Sequence, residues 1–148
     1  MAGVRRGANV VLRYLIALYV LGVVTQFFLV GLGIFGMKAG DTVGKAKSLD
    51  PHRGLGWILT EPGALLLLIV AALAWGGRAR FGRYLLLVVL AFVQMALAAG
   101  GENHKLVGMF HPVNALLLLG LSGYLARTEW AAVRGRAPEA APAAVPTA

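Results

Sequence analysis

The sequence predicts an all-α integral membrane protein: a left-handed, up-down-up-down four-helix bundle with an internal parallel two-helix repeat. Three observations predict it. The chain of 148 residues is 59% hydrophobic and 14% charged, with a mean hydropathy of +0.76, whereas soluble domains sit near about 45–50% apolar and about 25% charged. Four long apolar runs, 12–35, 54–75, 84–99 and 106–126, are separated by short polar connections. The runs lack the alternation of barrel strands, which leaves helices to satisfy the backbone in lipid. A water-soluble globule and a disordered chain are both excluded. The absence of cysteine excludes disulfides, c-type haem attachment, iron–sulfur clusters and thiolate metal sites.

Residues 1–11 form a basic arm with Arg5 and Arg6. The run 12–35 is long enough for a span, which needs roughly 20 residues for a ~30 Å core. It is too long for a signal-peptide core, and Tyr14, Tyr19 and Gln26 interrupt it. The connection 36–53 is polar and carries Asp41, Asp50 and Pro51, with nothing to mark either aspartate as catalytic. The run 54–75 is the second span, and 76–82 is a tight basic turn rich in glycine. The third run, 84–99, is short and borrows Arg83 and Gly100-Gly101. After the turn 100–105 comes the fourth span, 106–126. Residues 127–148 are a tail that begins as an Arg-containing stub and turns into an Ala/Pro segment expected to be disordered.

Lys and Arg set the orientation. Nine of them (Arg5, Arg6, Arg13, Arg78, Arg80, Arg83, Arg127, Arg134, Arg136) lie on the side of the termini, and five (Lys38, Lys45, Lys47, Arg53, Lys105) on the other. The positive-inside bias then places both termini in the cytoplasm of a multi-pass plasma-membrane protein. The net charge of +8 is explained by these connections rather than by a nucleic-acid-binding face.

The two halves resemble each other. Arg13-Tyr14-Leu15 opens the first span and Arg83-Tyr84-Leu85 the third; Gln26 and Gln94 follow within them. His52 precedes the second span and His111 lies early in the fourth, each with a small residue four places on (Gly56, Ala115) and Leu seven places on (Leu59, Leu118). Both halves have the same topology, so the expected symmetry axis lies along the membrane normal. The alternative is coincidence in a Leu/Ala/Gly-rich chain.

His111 sits about 7–8 Å below the start of its span by helical rise, and a histidine inside a span usually faces the bundle interior or a cofactor. His52, after Pro51, suits a first helical turn. Opposed imidazoles in an apolar bundle are what a b-type haem needs for its two axial ligands. The stripes agree: His52, Gly56, Leu59 and Gly63 share one face, His111, Asn114, Leu118 and Ser122 a second, and Tyr19, Gly22, Gln26 and Gly33 a third. Small Gly56 leaves room for a flat macrocycle, Asn114, Gln26 or Gln94 can orient an imidazole, and Arg53 and Lys105 lie where a propionate wants a cation. The plain alternative is packing, because small-residue stripes and buried amides are also the ordinary means of joining membrane helices; a third is a role toward another cofactor, an ion or a substrate. His104, in a turn, is read as solvated, with a ligand role only if the fourth helix starts early.

Four helices with His52 and His111 at matching ends of the second and fourth resemble one half of the haem A synthase bundle. The pieces His52-Arg53-Gly54-Leu55-Gly56 and His111-Pro112-Val113-Asn114-Ala115, with Gln26 and Gln94 in the odd helices, resemble more closely a family of small four-span actinobacterial membrane proteins of unknown function. The resemblance covers about 12–126. The synthase comparison implies haem ligation by His52 and His111; it carries over no catalysis, since that enzyme uses two such halves and a carboxylate in an outward loop.

Glu61-Pro62 interrupts the second span roughly 10 Å deep. An intramembrane carboxylate is a functional candidate. Nine residues from His52, it falls about 180° from the histidine stripe on an unkinked helix, and Pro62 softens that estimate. Three roles stay open for Glu61: a protonated hydrogen-bonding group, a quinone or proton site, or a contact to a partner subunit. No nucleotide loop, nucleophile elbow or zinc protease motif is present, so no catalytic activity of its own is expected. Two function classes remain: a haem b protein for electron transfer or haem handling, with a redox partner or larger membrane complex, and a cofactor-free accessory subunit.

Overall fold

The computed structural model describes residues 2–134, and the regular structure among them is helical throughout. Helix α1 is Ala2–Phe35. A short 3-10 turn, Lys47–Leu49, leads into α2, Asp50–Ile58. A π-helical turn, Leu59–Gly63, joins α2 to α3, Ala64–Ala74. Then come α4, Arg78–Asn103, the single turn α5, Lys105–Gly108, and α6, Phe110–Arg134. Four stretches are long and apolar enough to cross a membrane: Ala2–Phe35, Lys47–Ala74, Arg78–Asn103 and Lys105–Ala132, here spans 1 to 4. The protein is thus a multi-pass membrane protein, all-α with four spans among the described residues.

The helices outrun the apolar runs of the sequence. Helix α1 is 34 residues, roughly 50 Å at 1.5 Å per residue, against a ~30 Å hydrocarbon core. No proline breaks it, so the backbone ladder continues through the basic arm to Ala2. Helix α6 likewise continues through the stub to Arg134. The Ala/Pro segment from 137 lies outside the described residues.

The spans close into a ring in chain order. Span 1 packs on spans 2 and 4, and span 3 packs on the same two. Spans 2 and 4 therefore stand on one diagonal, spans 1 and 3 on the other. Each contributes a buried stripe at helical spacing: Leu12, Ile16, Tyr19 and Val23 from span 1; Leu67, Ala71 and Ala74 from span 2; Tyr84, Leu87, Val88 and Ala91 from span 3; Leu118, Ser122 and Leu125 from span 4. The opposite faces expose large apolar side chains, among them Leu18 (64%), Phe28 (68%) and Leu32 (72%). A continuous apolar exterior of this kind is a liability in water and the natural face toward lipid.

The π turn has a local cause. Pro62 has no N–H to return to the Ile58 carbonyl, so the ladder must widen there. The displaced carbonyl leans into position 63, where a Cβ would stand 2.8 Å from the Ile58 oxygen, so only glycine fits. Thr60 helps by donating its hydroxyl to the Gly56 carbonyl at 2.8 Å. Glu61 lies inside this wide turn, so the unkinked-helix estimate of its direction does not apply to it.

At the turn between spans 3 and 4, His104 is extended and two helices restart almost at once. The backbones meet closely there: a Cβ on Gly101 would stand 2.7 Å from the Gly108 Cα. Backbone cannot rotate away as a side chain can. Gly101→Ala is therefore expected to cost about 1–3 kcal/mol, as overpacking does, read as a lowered thermal midpoint in detergent. Gly120→Ala, with nothing within 4 Å of its new Cβ, is the control and is expected to be neutral or slightly stabilising.

Candidate functional site

At the end of the bundle that carries the 36–49 loop, four spans each present one polar side chain inward. Gln26 comes from span 1, His52 from α2, Gln94 from α4 and His111 from the first turn of α6. The two imidazoles, on diagonal spans, have ring centroids 6.3 Å apart and planes inclined at 72°. The two glutamines occupy the other diagonal. Gln94 and Asn114 are buried, at 8% and 5% exposure; Gln26, His52 and His111 are half-buried.

Each glutamine serves the histidine that follows it. The Gln26 amide donates to the backbone carbonyl of His52 at 3.1 Å. Gly56 makes that reach possible, because a Cβ there would stand 3.1 Å from the Gln26 amide nitrogen. The space at Gly56, expected for a macrocycle, is thus taken by the Gln26 side chain. Gln94 approaches His111 twice, with its backbone oxygen 3.3 Å from Nδ1 and its amide nitrogen 3.1 Å from Nε2.

Hydrogen-bond logic fixes the polarity of this cluster from both ends. A backbone carbonyl only accepts. Asn114 therefore donates its amide to the Leu90 carbonyl at 2.9 Å, and the same nitrogen donates to Gln94 Oε1 at 2.7 Å. The other atom of the Gln94 amide is then its NH2, which donates to His111 Nε2. From the far end, His111 Nδ1 must donate to the Gln94 carbonyl, which leaves Nε2 as the lone-pair nitrogen. Both routes give one tautomer, Nδ1–H, with Nε2 as acceptor.

His52 contrasts with this. Its Nδ1 is buried without a partner, as are Gln26 Oε1 and Tyr19 OH. Unpartnered buried polar atoms are rare and each calls for an explanation. Tyr19 lies on the seam between spans 1 and 2, where Gly22 meets the Leu59 side chain and Gly63 lies near the Tyr19 ring, and Gln26 crosses the same seam to the His52 carbonyl.

Arg53 is engaged by the loop. It donates to the carbonyls of Ala46 at 3.0 Å and Val43 at 2.7 Å, and pairs with Asp50 at 2.6 Å. Ser48 pins the same loop to the Gly33 carbonyl at 2.7 Å. Lys105 is exposed at the start of α5, and His104 is exposed at the break between α4 and α5. Glu61 is half-buried and makes no side-chain hydrogen bond among the described residues. No group of three or more His, Cys, Asp or Glu that would hold a bare metal ion occurs among the described residues.

A second polar cluster, at the other end of the bundle, went unseen in the sequence. Arg80 grips Glu129 with Nε to Oε1 at 2.8 Å and Nη2 to Oε2 at 2.6 Å, and donates to Asn9 Oδ1 at 2.8 Å. Tyr84 donates its hydroxyl to Glu129 Oε1 at 3.2 Å. Spans 3 and 4 are thereby joined at Glu129, which is 7% exposed, and span 1 joins them through Asn9 on Arg80. The residues do continue the buried stripes. Asn9 precedes Leu12 by three places, Arg80 precedes Tyr84 by four, and Glu129 follows Leu125 by four. A charged residue in register with a buried stripe was the available signal.

No curated protein and no solved structure matches this chain. A model of a family of unknown function, DUF6220, matches residues 26–100, a stretch that starts at Gln26, takes in His52, Glu61 and Gln94, and ends before His111. That stretch is just over half of the 148 residues, and the chain belongs to the DUF6220 family.

Proposed function

We infer that this membrane protein holds one b-type haem between His52 and His111, for electron transfer or haem handling. The observation that carries the reading is the histidine pair itself. A metal–imidazole bond is about 2.0–2.1 Å, and the ring centre lies roughly 1 Å further on, so two opposed imidazoles on one metal have centroids about 6 Å apart. The two rings stand at 6.3 Å. His111 has the tautomer that ligates, with Nδ1–H held by a backbone carbonyl and Nε2 bearing the lone pair. On His52 a buried ring nitrogen has no protein partner. The donor set suits the group, with two imidazoles and no cysteine, and a macrocycle between them would require the Gln26 and Gln94 side chains to move aside.

A haem held this way supplies one-electron transfer. The chain's own residues do the rest. Gln94 orients His111 through its main chain, and Gln26 anchors the first turn of α2 under His52. Arg53 holds the 36–49 loop over this end of the bundle, and exposed Lys105 would offer a cation to a propionate. The matching pairs Gln26–His52 and Gln94–His111 support reading the chain as two two-helix halves about an axis along the membrane normal. The excess of Lys and Arg at the terminal end supports both termini in the cytoplasm of the plasma membrane.

One observation favours a second reading. Gln94 already occupies both ring nitrogens of His111, as it would in a cofactor-free accessory subunit whose amide and imidazole groups only join helices. A reduced-minus-oxidised spectrum of the purified protein, after supplementation with haem, separates the two. A sharp α-band of a six-coordinate b-type centre is expected; its absence sinks the haem reading in favour of the second.

A further inference from the structure

We propose that the Gln94 side-chain amide is a displaceable cap on His111 Nε2, so that Gln94 sets how readily the site is loaded. This rests on the haem reading and adds to Gln94 a role beyond orienting His111.

The two contacts of Gln94 differ in kind. The backbone carbonyl holds Nδ1–H at 3.3 Å and stays in place whatever the side chain does. The side-chain amide covers Nε2 at 3.1 Å and turns about a rotatable stem. Tautomer control and capping are therefore separable within one residue. An imidazole lone pair in an apolar interior is costly when left bare, and the cap removes that cost until a metal takes the same lone pair. One electron pair serves one partner, so capping and ligation at Nε2 are mutually exclusive.

Asn114 gives the amide somewhere to stay. It grips Gln94 Oε1 at 2.7 Å and is itself fixed on the Leu90 carbonyl at 2.9 Å. The amide is planar, so its NH2 leaves His111 only when the whole group moves on its stem, and Asn114 offers Oε1 a donor through that movement. His52 has no comparable cover, since no side-chain hydrogen bond holds its ring among the described residues and its Nδ1 is unpartnered. The two histidines are therefore unequal, with His111 the one that must be released.

The test uses the full chain in detergent or nanodiscs, with 15N-labelled histidine, glutamine and asparagine, and hemin as the probe, reduced to its diamagnetic low-spin form for the NMR. Without hemin, ring-nitrogen NMR is expected to show His111 as Nδ1–H with Nε2 accepting a hydrogen bond. In Gln94→Leu the tautomer should persist while Nε2 moves to the value of a bare lone pair. An Nε2–H tautomer, or an Nε2 signal indifferent to Gln94→Leu, overturns the proposal. In hemin titrations Gln94→Leu should bind about 2- to 10-fold tighter, one neutral hydrogen bond's worth, and should load faster. If wild type binds hemin and Gln94→Leu binds equally or more weakly, the cap is overturned and the haem reading stands. If neither binds while the NMR signature is present, the haem reading falls and the gating role with it. Should Gln94→Leu fail to fold, wild type decides: on hemin binding the Gln94 amide signal should lose its bond to Nε2 while that of Asn114 stays, and an unchanged Gln94 signal overturns the cap.

Discussion

Glu129→Ala is expected to cost about 3–5 kcal/mol, because it leaves Arg80 without its counter-charge in a site it cannot leave. The Arg80 side chain is 18% exposed and that of Glu129 8%, so neither charge regains water by a rotamer change alone. Arg80 would keep only Asn9, and Tyr84, a fully buried side chain, would lose the acceptor for its hydroxyl. Arg80→Ala should be comparably damaging for the mirror reason, with a buried carboxylate left unpaired. Glu129→Gln keeps the shape and one acceptor and should fall between. The joint replacement Arg80→Met with Glu129→Leu removes both charges and puts apolar volume in their place, and should recover much of the loss. Thermal unfolding of the four variants in one detergent reads this out. A single Glu129→Ala within 1 kcal/mol of wild type would mean that the ion pair is not a structural clamp.

The contrast between the two ends of the bundle shows what a sequence carries. Spans and their order were legible because apolar length is a direct physical requirement of the bilayer, and lipid offers no alternative to the helix. The histidine diagonal was legible because polar residues in apolar runs are few: His52, His111, Gln26, Gln94 and Asn114 stand out one by one. The helix ends were not. Hydropathy stops at the edge of the hydrocarbon, while the backbone ladder stops only where a proline, a left-handed residue or an extended residue breaks it. Span 2 ends at Trp75, with φ 31, and α4 at extended His104. Arg80–Glu129 was hidden for a related reason. In a basic connection Arg80 reads as one of several topological charges, and in an Arg-containing stub Glu129 reads as surface. Only their register with Tyr84 and Leu125 betrays that both point inward. The roles of Gly56 and Arg53 depended on side-chain competition that spacing cannot show. Gln26 fills the space beside Gly56, and the loop carbonyls take Arg53.

On the proposed haem reading, His52→Ala and His111→Ala, made singly, are each expected to abolish the six-coordinate b-type spectrum, and His104→Ala to leave it intact. The difference follows from position. His52 and His111 face one interior from diagonal spans at a centroid separation of 6.3 Å, so each is the other's only matching partner among the three histidines of the chain. His104 is exposed, on the extended residue between α4 and α5. Its direction is set by that break, and the close meeting of Gly101 with Gly108 holds the break tightly. Removing either inner histidine should weaken haem retention at least about 10-fold, since one coordinate bond exceeds the 1.4 kcal/mol that a factor of ten represents. His111→Ala also empties the space that Gln94 caps and leaves its amide without an acceptor, so some loss of stability should accompany loss of the spectrum. His52→Ala removes no side-chain hydrogen bond and should unfold at nearly the wild-type temperature. That difference distinguishes loss of a ligand from loss of the fold. A spectrum that survives His52→Ala but not His104→Ala would move the ligand to the turn and contradict the diagonal site. A spectrum that survives all three would place the haem outside the bundle interior.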